Sequence, residues 1–387
     1  MRRDYEYIVL GLGGIGSAAA YWLARRAGSE VLGLEQFETG HVRGESQDHS
    51  RIIRLSYHTP AYVRLARQAY GAWAALEQEA QEQLVLQTGG LDLAPPNSAI
   101  PLVNYIDSMR ACDVPFELID AAEVRHRWPQ FRLQDDISAV YQPDAGIVAA
   151  GRCNAAHGRM ARAHGATLRD VTPVTSIQAV DGELEIVGDV TYRCRKLIIA
   201  AGPWTNQVLA HLNMHLPLTI TQEQVTYFAP PGLTSFGIDR FPVWIWMDDP
   251  CFYGFPVYGE AGIKVGQDVG GVEVTADTRT FEPEPAALRR VEQFLAQYLP
   301  TALGPSLYTK TCLYTLTPDR DFVIDTLATQ PDITIAIGAG HGFKFASLIG
   351  KILSELAIDG TTVHDIAPFR IDRPILTKES PTQGFMV

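Results

Sequence analysis

The glycines of Gly11-Leu12-Gly13-Gly14-Ile15-Gly16 have the spacing that lets a dinucleotide pyrophosphate lie against backbone N–H groups at a helix start. The first glycine makes the turn, the second clears space for the phosphates, and the third lets helix and strand pack closely. Glu35 closes the next apolar run, where a carboxylate accepts from both ribose hydroxyls and repels a 2′-phosphate. NADP is excluded on that ground; FAD and NAD both remain open. Lys264 sits inside the apolar run Gly262-Ile263-Lys264-Val265-Gly266, so its ammonium must reach either solvent at a sheet edge or an anion. Arg51 and Arg54 flank Ile52-Ile53 and precede Leu55. They read either as one solvated helix face or as cations held among apolar neighbours. The cysteines, Cys112, Cys153, Cys194, Cys251 and Cys312, include no C-x-x-C, which removes zinc knuckles and thioredoxin-type chemistry. An odd count in a chain this long reads as free thiols in a reducing compartment, and a cytoplasmic location is expected.

Elements must bring these residues together. Tyr7-Ile8-Val9-Leu10 is a short strand, Ser17 to Arg26 an alanine-rich helix, and Glu30 to Leu34 a second strand. With the glycine turn between them they make a βαβ unit. The opening Met1-Arg2-Arg3-Asp4-Tyr5 runs at once into that first strand, so a strand is expected rather than a twin-arginine export signal. Thr59 and Pro60 mark a helix start, and Tyr62, Leu65, Ala69, Trp73 and Leu76 form its core-facing stripe. Residues from about 97 to 140 mix helix and turn signals, and Cys153 to His164 is helical. Leu197 to Ala201 is a buried strand running into Gly202-Pro203-Trp204. From about 215 to 310 alternating aromatic and apolar runs predict antiparallel strands. Ile333 to Ile337 is a further buried strand, followed by Gly338-Ala339-Gly340-His341-Gly342 and a helix from about Phe343 to Leu356.

The chain has 387 residues, enough for two or three domains at ~150 residues each. Its net charge of −12 and lack of a basic run argue against nucleic acid and anionic membrane surfaces as partners. Hydrophobic residues at 46% and charged residues at 20% are globular proportions and exclude a disordered chain. Phe241 to Met247 is far too short to span a bilayer, which needs ~20 residues.

Several stretches together resemble the monomeric sarcosine oxidase and N-methyltryptophan oxidase family of flavoenzymes. They are Ser50-Arg51-Ile52-Ile53-Arg54, Arg127-Trp128-Pro129, Phe252-Tyr253-Gly254-Phe255-Pro256, Gly262-Ile263-Lys264-Val265-Gly266, Cys312-Leu313-Tyr314-Thr315 and Gly340-His341-Gly342-Phe343-Lys344-Phe345. The resemblance covers essentially the whole chain. It implies an α/β (α+β) protein with a Rossmann-like FAD-binding domain and a mostly antiparallel-sheet substrate domain. The FAD domain would be discontinuous, residues 1–86, 141–214 and 311–387, with the substrate domain in 87–140 and 215–310. The implied reaction is oxidation of a secondary, N-methyl amino acid, sarcosine foremost, to the demethylated amino acid, formaldehyde and hydrogen peroxide. A cyclic imino acid such as pipecolate or proline, or a bulkier N-methyl amino acid, is an alternative substrate. A non-catalytic FAD-binding subunit of an amine dehydrogenase complex is the alternative from another class. A monomer working on a small amino acid and dioxygen is expected, with no metal.

The resemblance also carries roles to matching positions. Cys312 would hold FAD covalently through a thioether, which requires a thiolate and so a polar or cationic neighbourhood. Lys264 would be the cation that assists dioxygen, and Arg51 would lie against the flavin ring. Gln267 and Asp268 stand where the family carries an aromatic residue and a histidine, and Asp268 is placed to pair with Lys264 or tune it. Arg54 and Lys344 would bind the substrate carboxylate, with Tyr253 and Tyr314 beside them. FAD contacts are expected at Gly11, Gly13, Gly14, Ile15, Gly16, Glu35 and Gln36. Further FAD contacts are expected at Ser46, Arg51, Val174, Gly202, Trp204, Gly338, Gly340, Gly342, Phe343 and Lys344. The glycine-rich entry to the last helix would present N–H groups to the flavin, with His341 a structural hydrogen-bonding residue. Trp244 and Trp246 either wall the pocket or pack in the core.

Overall fold

The computed structural model describes residues 2–378. Met1 and residues 379–387, the two extremes of the expected FAD domain, lie outside the described residues. The apolar run Ile8-Val9-Leu10 lies in a strand, Asp4–Leu10, between two parallel neighbours, Val31–Leu34 and Tyr192–Ile199. Such strands are covered on both faces, which is why they read as continuous apolar runs without alternation. Tyr192–Ile199 pairs in parallel with Gln330–Ile337, and Val31–Leu34 with Thr167–Arg169. A hairpin, Ser176–Val180 with Glu183–Val187, and the strand Val323–Leu327 complete eight strands among the described residues. Helices Gly14–Ala27, Ala150–Ala163 and Ala346–Asp359 pack together against this sheet.

A second sheet contains nine strands among the described residues. Thr219–Phe228 is its longest-paired member and runs antiparallel to Ile263–Asp268, Val272–Val274 and Ser306–Leu316. The sheet continues through Cys251–Phe255 and Val243–Trp246 to Gly90–Ala94, Ser138–Gln142 and Glu117–Asp120. Within it, only the pairing of Val243–Trp246 with Gly90–Ala94 is parallel among the described residues. The fold is therefore mixed α/β, a Rossmann-like layer with a parallel centre and antiparallel additions joined to a mostly antiparallel one. Ser306–Leu316 belongs to the second sheet over its whole length, so a boundary drawn at residue 311 divides one strand.

Local signals translate directly. Thr59 caps Pro60–Ala80, its hydroxyl accepting from the Tyr62 N–H at 3.4 Å, and Tyr62, Leu65, Ala69, Trp73 and Leu76 are all buried. Residues 97–140 resolve into helices Leu102–Ala111 and Ala121–Arg127 around the strand Glu117–Asp120. The last long helix starts later than its sequence pattern suggests, because Gly342–Phe345 forms a tighter 3₁₀ turn before Ala346–Asp359. Arg51 lies in a strand, Arg51–Ile53, so the helix-face reading of the two arginines is corrected. Trp244 and Trp246 pack on Phe294 in the core of the second layer, with ring centroids 5.5 Å from it in each case. Ile245 between them faces the other side and reaches the inner cavity.

Candidate active site

The first strand and helix build one end of a long cleft of about 580 Å³. Gly11 has φ +89°, and a Cβ there would sit 2.4 Å from the Ala200 carbonyl oxygen. Gly16 does not reach the cleft wall. It serves packing, since a Cβ on it would meet the Gly11 carbonyl oxygen at 1.8 Å. Gly13, at the start of helix Gly14–Ala27, has no side chain to cap it; the Gly14 N–H donates to the Ser46 hydroxyl at 2.8 Å, and with no acid in its first turn the helix's positive end is fit for an anion. Glu35 accepts from the Leu12 N–H at 2.9 Å and the Phe37 N–H at 3.1 Å. Burial pushes its carboxyl up, but His41 and those two N–H groups win and hold it below the usual range. Gly11, Gly13, Gly14, Ile15, Glu35, Gln36, Ser46, Val174, Gly202, Trp204 and Gly338 all line the cleft. The helix start without an acid, the space left by missing side chains and the acid held below its usual range fit a dinucleotide with free ribose hydroxyls. Gly16→Ala should cost about 1–3 kcal/mol of stability by overpacking and lower the bound-dinucleotide content of the purified protein, read from its absorbance. A Gly16→Ala protein with full stability and full dinucleotide content would show that Gly16 does not set the close packing of the helix start.

A smaller cavity of about 130 Å³ adjoins the cleft, sharing Gly14, Ile15, Glu45, Ser46 and Gly338 as walls. It brings together Arg51, Arg54, Tyr253, Tyr314, Gly340, Gly342, Phe343 and Lys344 from four distant parts of the chain. Arg51 ties down the preceding loop, donating to the carbonyls of Glu45, Gln47 and Ser50 at 2.8 Å each. His341 donates its Nε2 hydrogen to the Arg320 carbonyl at 2.8 Å, a structural role.

Charges in this cavity differ from the sequence reading in two places. Arg54 donates to Asp92 at 2.7 Å, both side chains nearly fully buried, so it is half of an ion pair and not a bare cation. Its Nε has no hydrogen-bond partner among the described residues. Lys344 is the freer cation: among the described residues its ammonium has no hydrogen-bond or ion-pair partner and lies 5.7 Å from the Tyr57 ring. Burial first, and Arg54 second, push its pKa down to about 7. Asp268 is on the cavity wall but does not pair with Lys264; it lies 3.3 Å from Arg320.

Lys264 lines neither cavity. Its ammonium donates to Asp48 at 2.8 Å, to the Ser50 carbonyl at 2.7 Å and to the Ser50 hydroxyl at 3.1 Å. It also lies 4.3 Å from the Phe255 ring. Of the two outcomes its sequence position allowed, solvent or an anion, the structure gives an anion, Asp48. Cys312 is part-exposed, whereas the other four cysteines are buried. Burial pushes its thiol up to about 12 against the pull of Arg51, so the protein around it does not by itself make a thiolate. Asp48, Asp92 and Arg320 were not anticipated. Asp92 carried the same signal as Lys264, a charge inside an apolar strand, Leu91-Asp92-Leu93. Asp48 and Arg320 lie in loops and carried none.

A family model described as FAD dependent oxidoreductase (DAO) matches residues 6–356. The chain is 31% identical over 386 residues to monomeric sarcosine oxidase of Bacillus sp. (strain NS-129), covering 98% of this chain and 100% of that protein. It is 35% identical over 378 residues to monomeric sarcosine oxidase of Streptomyces avermitilis, covering 95% and 97%. N-methyl-L-tryptophan oxidase of Yersinia pestis (strain Pestoides F) is 31% identical over 377 residues, covering 96% and 99%. Among solved structures, the open form of NikD, an unusual amino acid oxidase essential for nikkomycin biosynthesis, superposes with a TM-score of 0.85. It is 27% identical and covers 95% of this chain and 97% of its own. The cleft fits the flavin dinucleotide that this match names, and NAD is set aside: the chain belongs to the DAO family of FAD-dependent oxidoreductases.

Proposed function

We propose that this FAD-dependent oxidoreductase oxidises the CH–NH bond of a secondary amino acid, with N-methyl amino acids and sarcosine first among them. The observation that carries the reading is the Lys344 ammonium, without a hydrogen-bond or ion-pair partner among the described residues, in a cavity that shares walls with the dinucleotide cleft. A cation with no hydrogen-bond or ion-pair partner among the described residues, beside the buried Arg54, suits a substrate carboxylate. Tyr253 and Tyr314 close the same space and help exclude water. Bound FAD supplies the two-electron acceptor and the means of passing those electrons to dioxygen. Lys264, behind the cavity, is assigned to the oxygen reaction as a fixed positive charge, and Cys312 to covalent attachment of the flavin. The FAD-binding layer and the antiparallel substrate layer are proposed as two domains of one monomer.

A peroxide assay across N-methyl and cyclic amino acids tests the substrate class. Peroxide from sarcosine supports it; peroxide from none of them removes it. Lys344 also makes the site sensitive to pH. A carboxylate binds the charged ammonium, which is lost as pH rises, and burial puts that loss near 7 in the free site. Affinity for a simple carboxylate analogue should therefore hold below pH 7 and fall by up to about tenfold per pH unit above it. The analogue's perturbation of the flavin spectrum reports this. Lys344→Met should weaken binding and flatten the profile, a loss of ~2–5 kcal/mol for a buried carboxylate. Lys344 is a cleaner probe than Arg54, because Arg54→Ala also strands the buried Asp92 carboxylate.

A further inference from the structure

Asp48 has φ +87°, a backbone conformation that residues other than glycine seldom adopt. Its loop is pinned there: the Asp48 carbonyl accepts from the Gly151 N–H, and the His49 carbonyl from the Ala150 N–H, at 3.1 Å each. The conformation buries the carboxylate, 4% exposed, among cations. Oδ2 accepts from Lys264 at 2.8 Å and lies 4.0 Å from Arg51. Oδ1 accepts from the Tyr227 hydroxyl at 2.9 Å and lies 3.5 Å from Lys310. The remaining hydrogen-bond partners of Lys264, the carbonyl and hydroxyl of Ser50, are neutral. Across the sheet Lys264 is opposite Tyr227 on one side and Phe255 on the other. Cys312 and Arg51 are the other ionisable groups that act on it, while nearby Glu260 is engaged by His49 and Tyr308. Asp48 is thus the one anion in hydrogen-bond contact with Lys264 among the described residues.

We propose that Asp48 is a positioning residue for the oxygen reaction: its carboxylate keeps the buried Lys264 ammonium protonated and aimed across the neutral pH range. The inference rests on the assignment of Lys264 to that reaction. A buried lysine with only neutral partners and an arginine nearby sheds its proton, and a carboxylate in contact reverses this. Burial pushes Lys264 down to about 8; the Asp48 carboxylate opposes that fall and Arg51 adds to it.

The test uses the flavin-loaded protein labelled with ¹⁵N-lysine. The Lys264 Nζ resonance, identified by its loss in Lys264→Met, is titrated with pH. Asp48→Asn keeps the shape and an acceptor but removes the charge. It should lower the Lys264 midpoint by about 1–3 pH units. The pH at which the reoxidation rate starts to fall should move down with it. Asp48→Gly suits the positive φ, guards against misfolding, and should give the same shift. An unchanged midpoint in a folded variant overturns the inference. So does a shifted midpoint with an unshifted rate profile, provided Lys264→Met slows reoxidation. If Lys264→Met leaves reoxidation fast, the oxygen assignment of Lys264 fails, and the role of Asp48 in that reaction fails with it.

Discussion

Lys264→Met should slow the reaction of the reduced enzyme with dioxygen by roughly a hundred- to a thousand-fold, and should change substrate-driven reduction much less. Dioxygen gains charge as it is reduced, and a preorganised charge at such a centre is typically worth ~3–4 kcal/mol. The ammonium is well suited to the task. Its three donors are held by Asp48 and Ser50, so it does not reorganise as charge develops. Stopped-flow measurement of the two half-reactions separately is the check. Equal losses in both would remove the specific link to oxygen. The substitution also takes one partner from a buried carboxylate, which can cost ~3–5 kcal/mol of stability. Asp48 keeps the Tyr227 hydroxyl, with Lys310 nearby, so part of that cost is offset. Lys264→Gln, which keeps a hydrogen-bond donor, should retain more of the fold and lose the oxygen rate to a similar extent.

Cys312→Ala should convert the flavin from acid-resistant to acid-extractable. Wild-type protein precipitated in acid is expected to carry its yellow colour into the pellet, and the variant to leave it in the supernatant. A wild-type flavin that washes off would remove the covalent assignment. The environment sharpens this expectation. The thiol stands at about 12 under burial, and Arg51 is its strongest charge-stabilising neighbour. Attachment needs the thiolate. Arg51→Met should therefore slow attachment, seen as a mixture of released and retained flavin after acid precipitation. It would also free the 45–50 loop that Arg51 holds through three carbonyls. Arg51→Lys, which keeps the charge with fewer donors, separates the two effects.

Local and periodic features of this protein were legible in its sequence because each is decided by neighbours along the chain. The glycine turn, the apolar parallel strands, the Thr59 cap and the buried stripe behind it are all of this kind. So was the demand that Lys264 reach either solvent or an anion, since an ammonium cannot stay inside an apolar strand alone. Which anion it finds is another matter. Asp48 lies 216 residues away, in a loop whose positive-φ conformation depends on hydrogen bonds to a third segment at Ala150 and Gly151. The same holds for Arg54 with Asp92, brought together by sheet packing, and for Asp268, which finds Arg320 and not the lysine four residues before it on the same strand. Residue type and spacing determined which groups must be compensated. Only the tertiary structure decided by whom, because a buried charge takes the counter-charge that folding carries to it, and sequence distance does not enter that energy.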